Sequence, residues 1–466
     1  MSSWDLTLFM VFISSFWQGV LSSNIVYMSQ LYVHVGAKLP ISNAVLGTHY
    51  AQSPSECGMR CLHDEDCLSF AHNNIDKECR MYGEYKDVSN VPANEWTYFA
   101  RKQLIAKTDS GPREFVRMCY FTNWAQYSSP PFTKDDIDAI DPFMCSHIIY
   151  AFANLKDNEL LEYEWNDQES YSKINALKSS NAKLKTLLSV GGASNGEAPL
   201  NSTLSSEENM RHFVNQSIAF IIENGFDGIN LEFSGKRNKE KFADLVTMLR
   251  EGVDKVSATH PMEIAMFGPT AQDFIDGSFA VARLSQELDF VILGTFYFQG
   301  DPNTLALHTA LYPKRPDSGE WSTSNTAWAV DSWMERGMPK DKIVIIVATT
   351  AVKYTLDDVT NHRPGDGATK GDTVGFQETC TFIKDSNAQC YQDNQQVGDY
   401  CVRGNTWISF DGSSTLTYKA EWVIQHGLGG IATWTLDRDD FSNSCTMGAY
   451  NLTKSWTSVL SDASKQ

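Results

Sequence analysis

The sequence lacks an excess of basic charge, a metal-binding motif and a second long apolar run. Its 38 lysine and arginine residues are outnumbered by 57 aspartates and glutamates, so the net charge is -19. Nucleic-acid binding is not expected, because it depends on a basic surface. The chain has no C-x-x-C pair, no H-E-x-x-H motif and no dense histidine cluster. Neither a metal nor a cofactor is therefore expected.

The one long apolar run lies at the N-terminus. Leu6–Leu21 is mostly apolar and is followed by the small residues Ser22 and Ser23, which predicts a secretory signal peptide over residues 1–23. A membrane anchor is the alternative, but the run is short and is interrupted by serine, glutamine and glycine. We expect an extracellular protein that is free of the membrane once this segment is cleaved.

Cysteines and sequons fit the same compartment. The ten cysteines form an even set, and the cysteines of a secreted chain usually form disulfides. Three N-x-S/T sequons, at Asn201, Asn215 and Asn451, are predicted glycosylation sites.

A small domain is predicted over residues 24–105, because four cysteines lie close together there, and a polar linker follows over 106–113. A short helix carrying Cys57 and Cys61 would precede a hairpin that carries Cys79. We expect two disulfides, Cys57–Cys79 and Cys61–Cys67, to link the helix to the hairpin. The spacing and the C-x-S-F strand resemble the PAN/apple family, a disulfide-rich α+β fold. That resemblance implies binding of proteins or carbohydrates, and a purely structural cap is the alternative.

Short apolar runs alternate with amphipathic helical stretches from residue 114 to the C-terminus at 466. The eight runs are Val116–Thr122, His147–Ala153, Leu184–Gly192, Phe226–Phe233, Glu263–Thr270, Leu288–Phe296, Lys342–Thr350 and Gly429–Asp437. Buried strands that alternate with helices predict an α/β fold, a closed (β/α)8 TIM barrel. Residues from about 352 to 407 interrupt the last βα unit and are expected to form an inserted α+β lobe.

The strand sequences resemble the family 18 glycoside hydrolases, the chitinases and chitinase-like lectins. The similar segments include Cys119–Tyr127, Cys145–Leu155, the S-x-G-G motif at Ser189–Gly192 and Gly429–Phe441. The resemblance implies the disulfides Cys119–Cys145 and Cys380–Cys445, and Cys390–Cys401 would form a local clasp within the insertion.

The catalytic motif of that family, D-G-x-D-x-D-x-E, is degenerate here. Asp227 keeps its first position, whereas Asn230 and Glu232 replace the second and third aspartates. Ser234 stands where the family has its catalytic glutamate, and a hydroxyl cannot serve as an acid near neutral pH. Glu232 is one inward position deeper, roughly 6.5 Å along the strand, which is too far to replace that acid. We therefore expect no hydrolysis of chitin.

A sugar cleft could remain without catalysis, because the family stacks sugar rings on aromatic side chains. Aromatic residues retained or present at cleft positions are Tyr120, Trp124, Phe152, Phe296, Tyr297 and Trp434. Trp434 is the expected stacking platform, and a core tryptophan that closes the barrel is the alternative. The family has residues that bind the sugar at several other cleft positions. This sequence has different residues there, at Ala193, Ser194 and the segment 350–352.

Three functions follow from these patterns. A non-catalytic protein that binds chitin or another glycan is the first, favoured by Trp434 and Tyr120. A protein-interaction or signalling factor is the second, favoured by the lost sugar-gripping residues. A weakly active chitinase with a displaced acid is the third, and Ser234 argues against it.

Overall fold

The chain divides into two units, Met1–Gly111 and Pro112–Gln466, so the division falls inside the predicted linker. The computed structural model describes residues 32–36, 45–50, 57, 69–73, 75–82, 96–101, 113–298, 301–314, 322–393 and 395–465. The predicted signal peptide lies outside these residues.

The small unit is built around a five-stranded sheet in the order β1-β5-β3-β4-β2. Its strands are β1 (Tyr32–Gly36), β2 (Val45–Tyr50), β3 (Ser69–Asn73), β4 (Glu78–Tyr82) and β5 (Trp96–Arg101). The antiparallel hairpin of β3 and β4 pairs Phe70 with Met81 and His72 with Cys79. Cys57 and Cys79 form the predicted disulfide, which fixes the chain before β3 to the hairpin. The predicted bridge between Cys61 and Cys67 lies outside the described residues.

The large unit is a closed barrel of eight parallel strands. They are β6 (Val116–Thr122), β7 (His147–Lys156), β9 (Lys185–Gly192), β10 (Gly228–Phe233), β11 (Glu263–Gly268), β12 (Phe290–Leu293), β13 (Ile343–Ala348) and β19 (Gly430–Trp434). They follow the order β6-β19-β13-β12-β11-β10-β9-β7, and pairing of β6 with β7 closes the ring. A short strand, β8 (Glu159–Leu161), pairs antiparallel with β7. Each predicted apolar run coincides with one barrel strand, and β7 extends three residues beyond its run, to Lys156. The predicted barrel is therefore confirmed.

Helices surround the barrel and cover the outer faces of its strands, except α9, which belongs to the inserted lobe. They are α1 (Lys134–Ile137), α2 (Asp167–Ala176), α3 (Ala198–Thr203), α4 (Glu207–Glu223), α5 (Lys239–Val256), α6 (Gln272–Ser278), α7 (Val281–Glu287), α8 (Thr326–Glu335), α9 (Phe376–Ile383), α10 (Ser413–His426) and α11 (Asn451–Ala463). The two longest begin at side-chain caps, where Ser206 accepts from the Asn209 amide and Asn238 accepts from the Lys241 amide. No helix among the described residues is long and apolar enough to cross a membrane.

The inserted lobe is a second, antiparallel sheet. Its strands are β14 (Thr350–Leu356), β15 (Ala368–Gly375), β16 (Gln389–Asp393), β17 (Gly398–Arg403) and β18 (Thr406–Phe410), in the order β15-β14-β18-β17-β16. The predicted bounds of about 352–407 therefore widen to 350–410. The lobe follows the seventh barrel strand, β13, so its assignment to the last βα unit is corrected to the seventh unit.

Three disulfides support the large unit, with the pairings that the sequence predicts. Cys119–Cys145 joins the first strand to the segment before the second. Cys380–Cys445 joins α9 of the lobe to the segment after the last barrel strand. Cys390–Cys401 links two directly paired residues of β16 and β17.

Candidate functional site

The site lies inside the barrel, toward the carboxyl ends of the strands, where (β/α)8 enzymes carry their functional residues. Asn230 on β10 is fully buried and pairs in register with Ser189 on β9. Its Nδ2 donates to the Ser189 Oγ at 2.8 Å and to the Tyr120 hydroxyl at 3.2 Å. An amide therefore occupies the position of the family's second aspartate and is tied to two neighbouring strands.

Glu232 is the next inward-facing residue of β10. Its Oε2 lies 3.4 Å from the Tyr120 hydroxyl, which donates to it, and 3.4 Å from the Asn230 Nδ2. Burial raises the pKa of Glu232 to about 8, although hydrogen bonds from Tyr120 and Asn230 act in the opposite direction. The carboxyl group is therefore mostly protonated at neutral pH.

Ser234 lies just past the end of β10 at Phe233 and is partly exposed. Asp227, the retained first residue of the motif, precedes the opposite end of the same strand. Its Oδ2 lies 2.8 Å from the Lys178 Nζ and accepts from the Thr186 amide at 2.8 Å. The structure therefore brings Asn230 and Glu232 together, whereas Asp227 is a structural anchor away from them.

Aromatic rings surround Trp434 at the end of the last barrel strand. The centroid of its ring lies 5.1 Å from that of Tyr120 and 5.6 Å from that of Phe296, which is stacked on it. Trp124 and Phe152 are further out, at 6.3 and 6.4 Å. Trp434 keeps part of its surface exposed, so it is available to a ligand while its neighbours support it.

The six predicted glycan-contacting aromatics differ in exposure. Trp124, Phe296, Tyr297 and Trp434 are partly exposed, but Tyr120 is 0% exposed and Phe152 only 8%. The assignment of Tyr120 as a direct contact is corrected, because its ring is covered and its hydroxyl is engaged by Glu232 and Asn230. Phe152 is mainly a support as well, stacked on Trp124 at 5.7 Å.

The two glycines of the S-x-G-G motif allow this close packing. Gly192 has a φ of +76°, and a Cβ there would lie 2.6 Å from the Phe152 ring. A Cβ on Gly191, with φ of +106°, would lie 2.4 Å from the Glu232 carbonyl oxygen. Both positions therefore need glycine to bring β9 against the floor of the site.

A cavity of about 230 Å³ opens beside Trp434. It is lined by Thr122, Trp124, Tyr297, Thr350, Thr373, Val374, Trp434, Thr435, Asp437 and Arg438. Asp437 is buried, which raises its pKa, and its Oδ1 accepts from the Thr122 hydroxyl at 2.9 Å. The Arg438 Nε lies 3.6 Å from the Asp437 Oδ2, beyond hydrogen-bond distance. The cavity thus combines three aromatic side chains, Trp124, Tyr297 and Trp434, with polar groups that suit hydroxyl-rich ligands.

Sequence reasoning missed Asp437, Arg438 and Thr373 as parts of this cavity. The acidic segment after Trp434 was the available signal for the first two. Thr373 comes from the inserted lobe, and its position depends on how that lobe folds back. Ala193 and Ser194, in a short exposed turn after β9, leave that side of the site without a large side chain.

The three predicted glycosylation sites lie on helices of the large unit. Asn201 and Asn215 are exposed, on α3 and α4. Asn451 is partly buried at the start of α11, where its Nδ2 donates to the Ser413 Oγ at 2.7 Å. Glycosylation of these asparagines stays a prediction.

Comparisons with known proteins agree with the architecture. Residues 116–439 match the model of the glycosyl hydrolases family 18, and residues 35–103 match that of the PAN domain. Human chitinase-3-like protein 2 is 33% identical over 362 residues, which cover 73% of this chain and 92% of that protein.

Two solved structures illustrate the range of similar proteins. The first is human YKL-39, a pseudo-chitinase with retained chitooligosaccharide binding. It is 29% identical to this chain, with a TM-score of 0.70, and the match covers 74% of this chain and 100% of that chain. An immunomodulatory active chitinase from Trichuris suis also has a TM-score of 0.70, with 28% identity over 74% of this chain and 100% of that chain. The barrel and its sequence thus place this chain among proteins of one family, and the chain belongs to the glycosyl hydrolases of family 18, with a PAN domain preceding the barrel.

Proposed function

We propose that this chain is a secreted chitinase-like protein that does not hydrolyse chitin and instead binds chitin oligosaccharides or a related glycan. Its setting would be an extracellular matrix, cuticle, shell or immune secretion. The observation that carries the proposal is a pair of replacements in the family's motif, Asn230 on β10 and Ser234 just past the end of that strand. Ser234 has no acidic proton to give, and Asn230 cannot supply the negative charge that stabilises a cationic intermediate.

Glycan binding is supported by the partly exposed aromatics around Trp434. Trp434 and Trp124 offer faces to a sugar ring, and the neighbouring cavity supplies hydroxyl and charged groups. A similar protein, YKL-39, is a pseudo-chitinase that retains chitooligosaccharide binding, which makes the combination of lost catalysis and retained binding physically reasonable for this barrel.

One observation favours weak hydrolysis as a second candidate. Glu232 has a pKa of about 8, so it carries a proton that could be donated. Two facts oppose this role: its carboxyl group is hydrogen-bonded to Tyr120 and Asn230 deep in the barrel, and no ionised carboxylate stands beside it at position 230. An assay with a fluorogenic chitobioside, comparing the protein with Glu232→Gln, separates the two. Hydrolysis that disappears in Glu232→Gln would overturn the non-catalytic assignment.

The first test of binding is calorimetric titration with chitotetraose. We expect saturable binding, and Trp434→Ala should weaken it by about tenfold or more, because a stacking face is lost. Trp434→Phe is the matched variant, since it keeps an aromatic face and should retain most of the affinity. Thermal unfolding of both variants checks that the barrel remains folded.

The absence of heat at millimolar sugar would favour a protein-interaction role. That alternative is supported by the positions where the family's sugar-binding residues are replaced. Ala193 is exposed but has only a methyl group, and Ala351 and Val352 are buried in the lobe, so none of the three offers a polar contact to a sugar. The PAN domain would then be the region to test for protein partners.

A further inference from the structure

One cationic side chain lines the cavity beside Trp434. Among the described residues that form the wall of this cavity, Arg438 alone carries a positive charge. Its side chain is 35% exposed, and its Nε lies 3.6 Å from the Asp437 Oδ2, which is too far for a hydrogen bond. Within the part of the chain that the structure describes, no acceptor hydrogen-bonds to the guanidinium. Its N–H donors are therefore available to a ligand in the cavity.

The guanidinium lies between the end of the barrel and the inserted lobe. Arg438 ends the short 3-10 turn Leu436–Arg438 that follows β19. Gly375 at the end of β15 has no side chain, and a Cβ there would lie 3.6 Å from the Arg438 Cδ. Burial raises the pKa of the Tyr297 hydroxyl, and the positive charge of Arg438 acts in the opposite direction. The guanidinium is therefore close to both Tyr297 and the lobe strand β15.

The three altered positions of the degenerate motif supply no full negative charge at neutral pH. Asn230 and Ser234 have neutral side chains, and burial raises the pKa of Glu232 to about 8. Among the described residues of the cavity wall, the carboxyl group is that of Asp437, which is 5% exposed. Its Oδ1 accepts from the Thr122 hydroxyl, and its Oδ2 has no hydrogen-bond partner. The cavity therefore offers a ligand one accessible cation and one buried, unpaired acceptor.

These groups fit a sugar ring that carries an acidic substituent. The planar guanidinium can donate two parallel hydrogen bonds to a carboxylate or a sulfate, and such charge-assisted pairs are stronger than neutral ones. A hydroxyl group of the same ring can donate to the Asp437 Oδ2, which gives the buried acceptor a partner. The ring itself stacks on Trp434 or Trp124, as a neutral sugar would. A neutral oligosaccharide leaves the guanidinium without a charged partner.

The overall charge of the chain opposes a general attraction for acidic glycans. The net charge is -19, and a field of this sign repels polyanions at long range. A preference for an acidic sugar must therefore arise from short-range contacts inside the cavity, because salt screens the charges that lie further away.

We propose that Arg438 makes the cavity beside Trp434 selective for acidic sugars, in which a pyranose ring carries a carboxylate or a sulfate group. The guanidinium binds the anionic group, while Trp434 holds the ring and Asp437 accepts from a hydroxyl. This inference rests on the proposed function, because it assumes that the cleft binds a glycan, and it names the class of that glycan.

The test is calorimetric titration of the secreted protein with three matched oligosaccharides. They are chitotetraose, chitotetraose oxidised to carboxylates at its primary alcohols, and chitotetraose sulfated at the same positions. We expect at least one acidic form to bind more tightly than the neutral form by about tenfold or more. Arg438→Gln should remove most of this preference. Arg403→Gln is the matched control and should keep the preference, since it removes the same charge from β17, which two strands of the lobe separate from β15.

A second variant, Arg438→Lys, separates charge from geometry. Lysine keeps the positive charge but lacks the planar fork of arginine, so the variant should retain a preference that is smaller than that of the unaltered protein. Thermal unfolding of each variant checks that the barrel remains folded. The acidic form with the larger gain in affinity, carboxylated or sulfated, identifies the anionic group that the cavity accepts.

The outcomes keep this proposal separate from the proposed function. Weaker binding of all three sugars in Trp434→Ala, together with a preference lost in Arg438→Gln but kept in Arg403→Gln, supports both. Equal affinities for the neutral and acidic sugars, or a preference that survives Arg438→Gln, overturn the selectivity of the cavity and leave glycan binding intact. The absence of heat with all three sugars overturns both proposals.

Discussion

The protonated state of Glu232 has a measurable effect on stability. Its pKa is about 8 in the folded protein against an ordinary value of 4.5. Between these values the folded state binds a proton that the unfolded state releases, so the stabilising contribution is complete below about 4.5 and is lost as the pH rises through about 8. Ionisation inside the barrel should cost on the order of 5 kcal/mol at about pH 9, since each unit of pKa corresponds to about 1.4 kcal/mol.

The variant Glu232→Gln keeps the shape of the side chain and cannot ionise. We expect its unfolding midpoint to match that of the unaltered protein at pH about 5 and to exceed it at pH about 9. Urea unfolding across this range measures the difference. Parallel pH profiles for the two proteins would contradict a protonated Glu232. Glu159→Gln is the control, because Glu159 is exposed and pairs with His212 at the surface.

At the scale of secondary-structure elements, the segment between β8 and α2 depends on Asp167. Asp167→Ala removes the acceptor for two backbone amides and the Tyr150 hydroxyl, and it leaves these donors buried or poorly paired. We expect a loss of about 3–5 kcal/mol in the free energy of unfolding and faster proteolysis between residues 161 and 167. Asp138→Ala is the control, since Asp138 is exposed and its surface ion pair with Lys173 should contribute little to stability.

The barrel strands could be predicted from the sequence because each is a short apolar run buried on both faces. The degenerate motif on β10 could also be located, since alternate residues of one strand face the same way. The contact between Tyr120 and Glu232 could not, because it joins strands that are 112 residues apart and depends on how the barrel closes. The same reason applies to Asp167, an ordinary aspartate in the sequence whose partners come from three separate segments.

At the scale of the whole molecule, the sugar cleft belongs to one unit. Every residue assigned to the cleft lies between Tyr120 and Arg438, inside the unit Pro112–Gln466. This unit has its own closed barrel and three disulfides. We therefore expect the role of the PAN domain to be separable from sugar binding.

Secretion of residues 112–466 without the preceding unit tests this separation. We expect the shortened protein to bind chitotetraose with an affinity within about threefold of that of the full chain, because all residues assigned to the cleft are retained. Calorimetry measures both affinities, and thermal unfolding checks that the barrel is folded. A folded barrel that binds chitotetraose more than about tenfold more weakly than the full chain does would contradict a site confined to the barrel. The PAN domain would then have to supply binding surface, by contacting the sugar or by positioning a second copy of the chain.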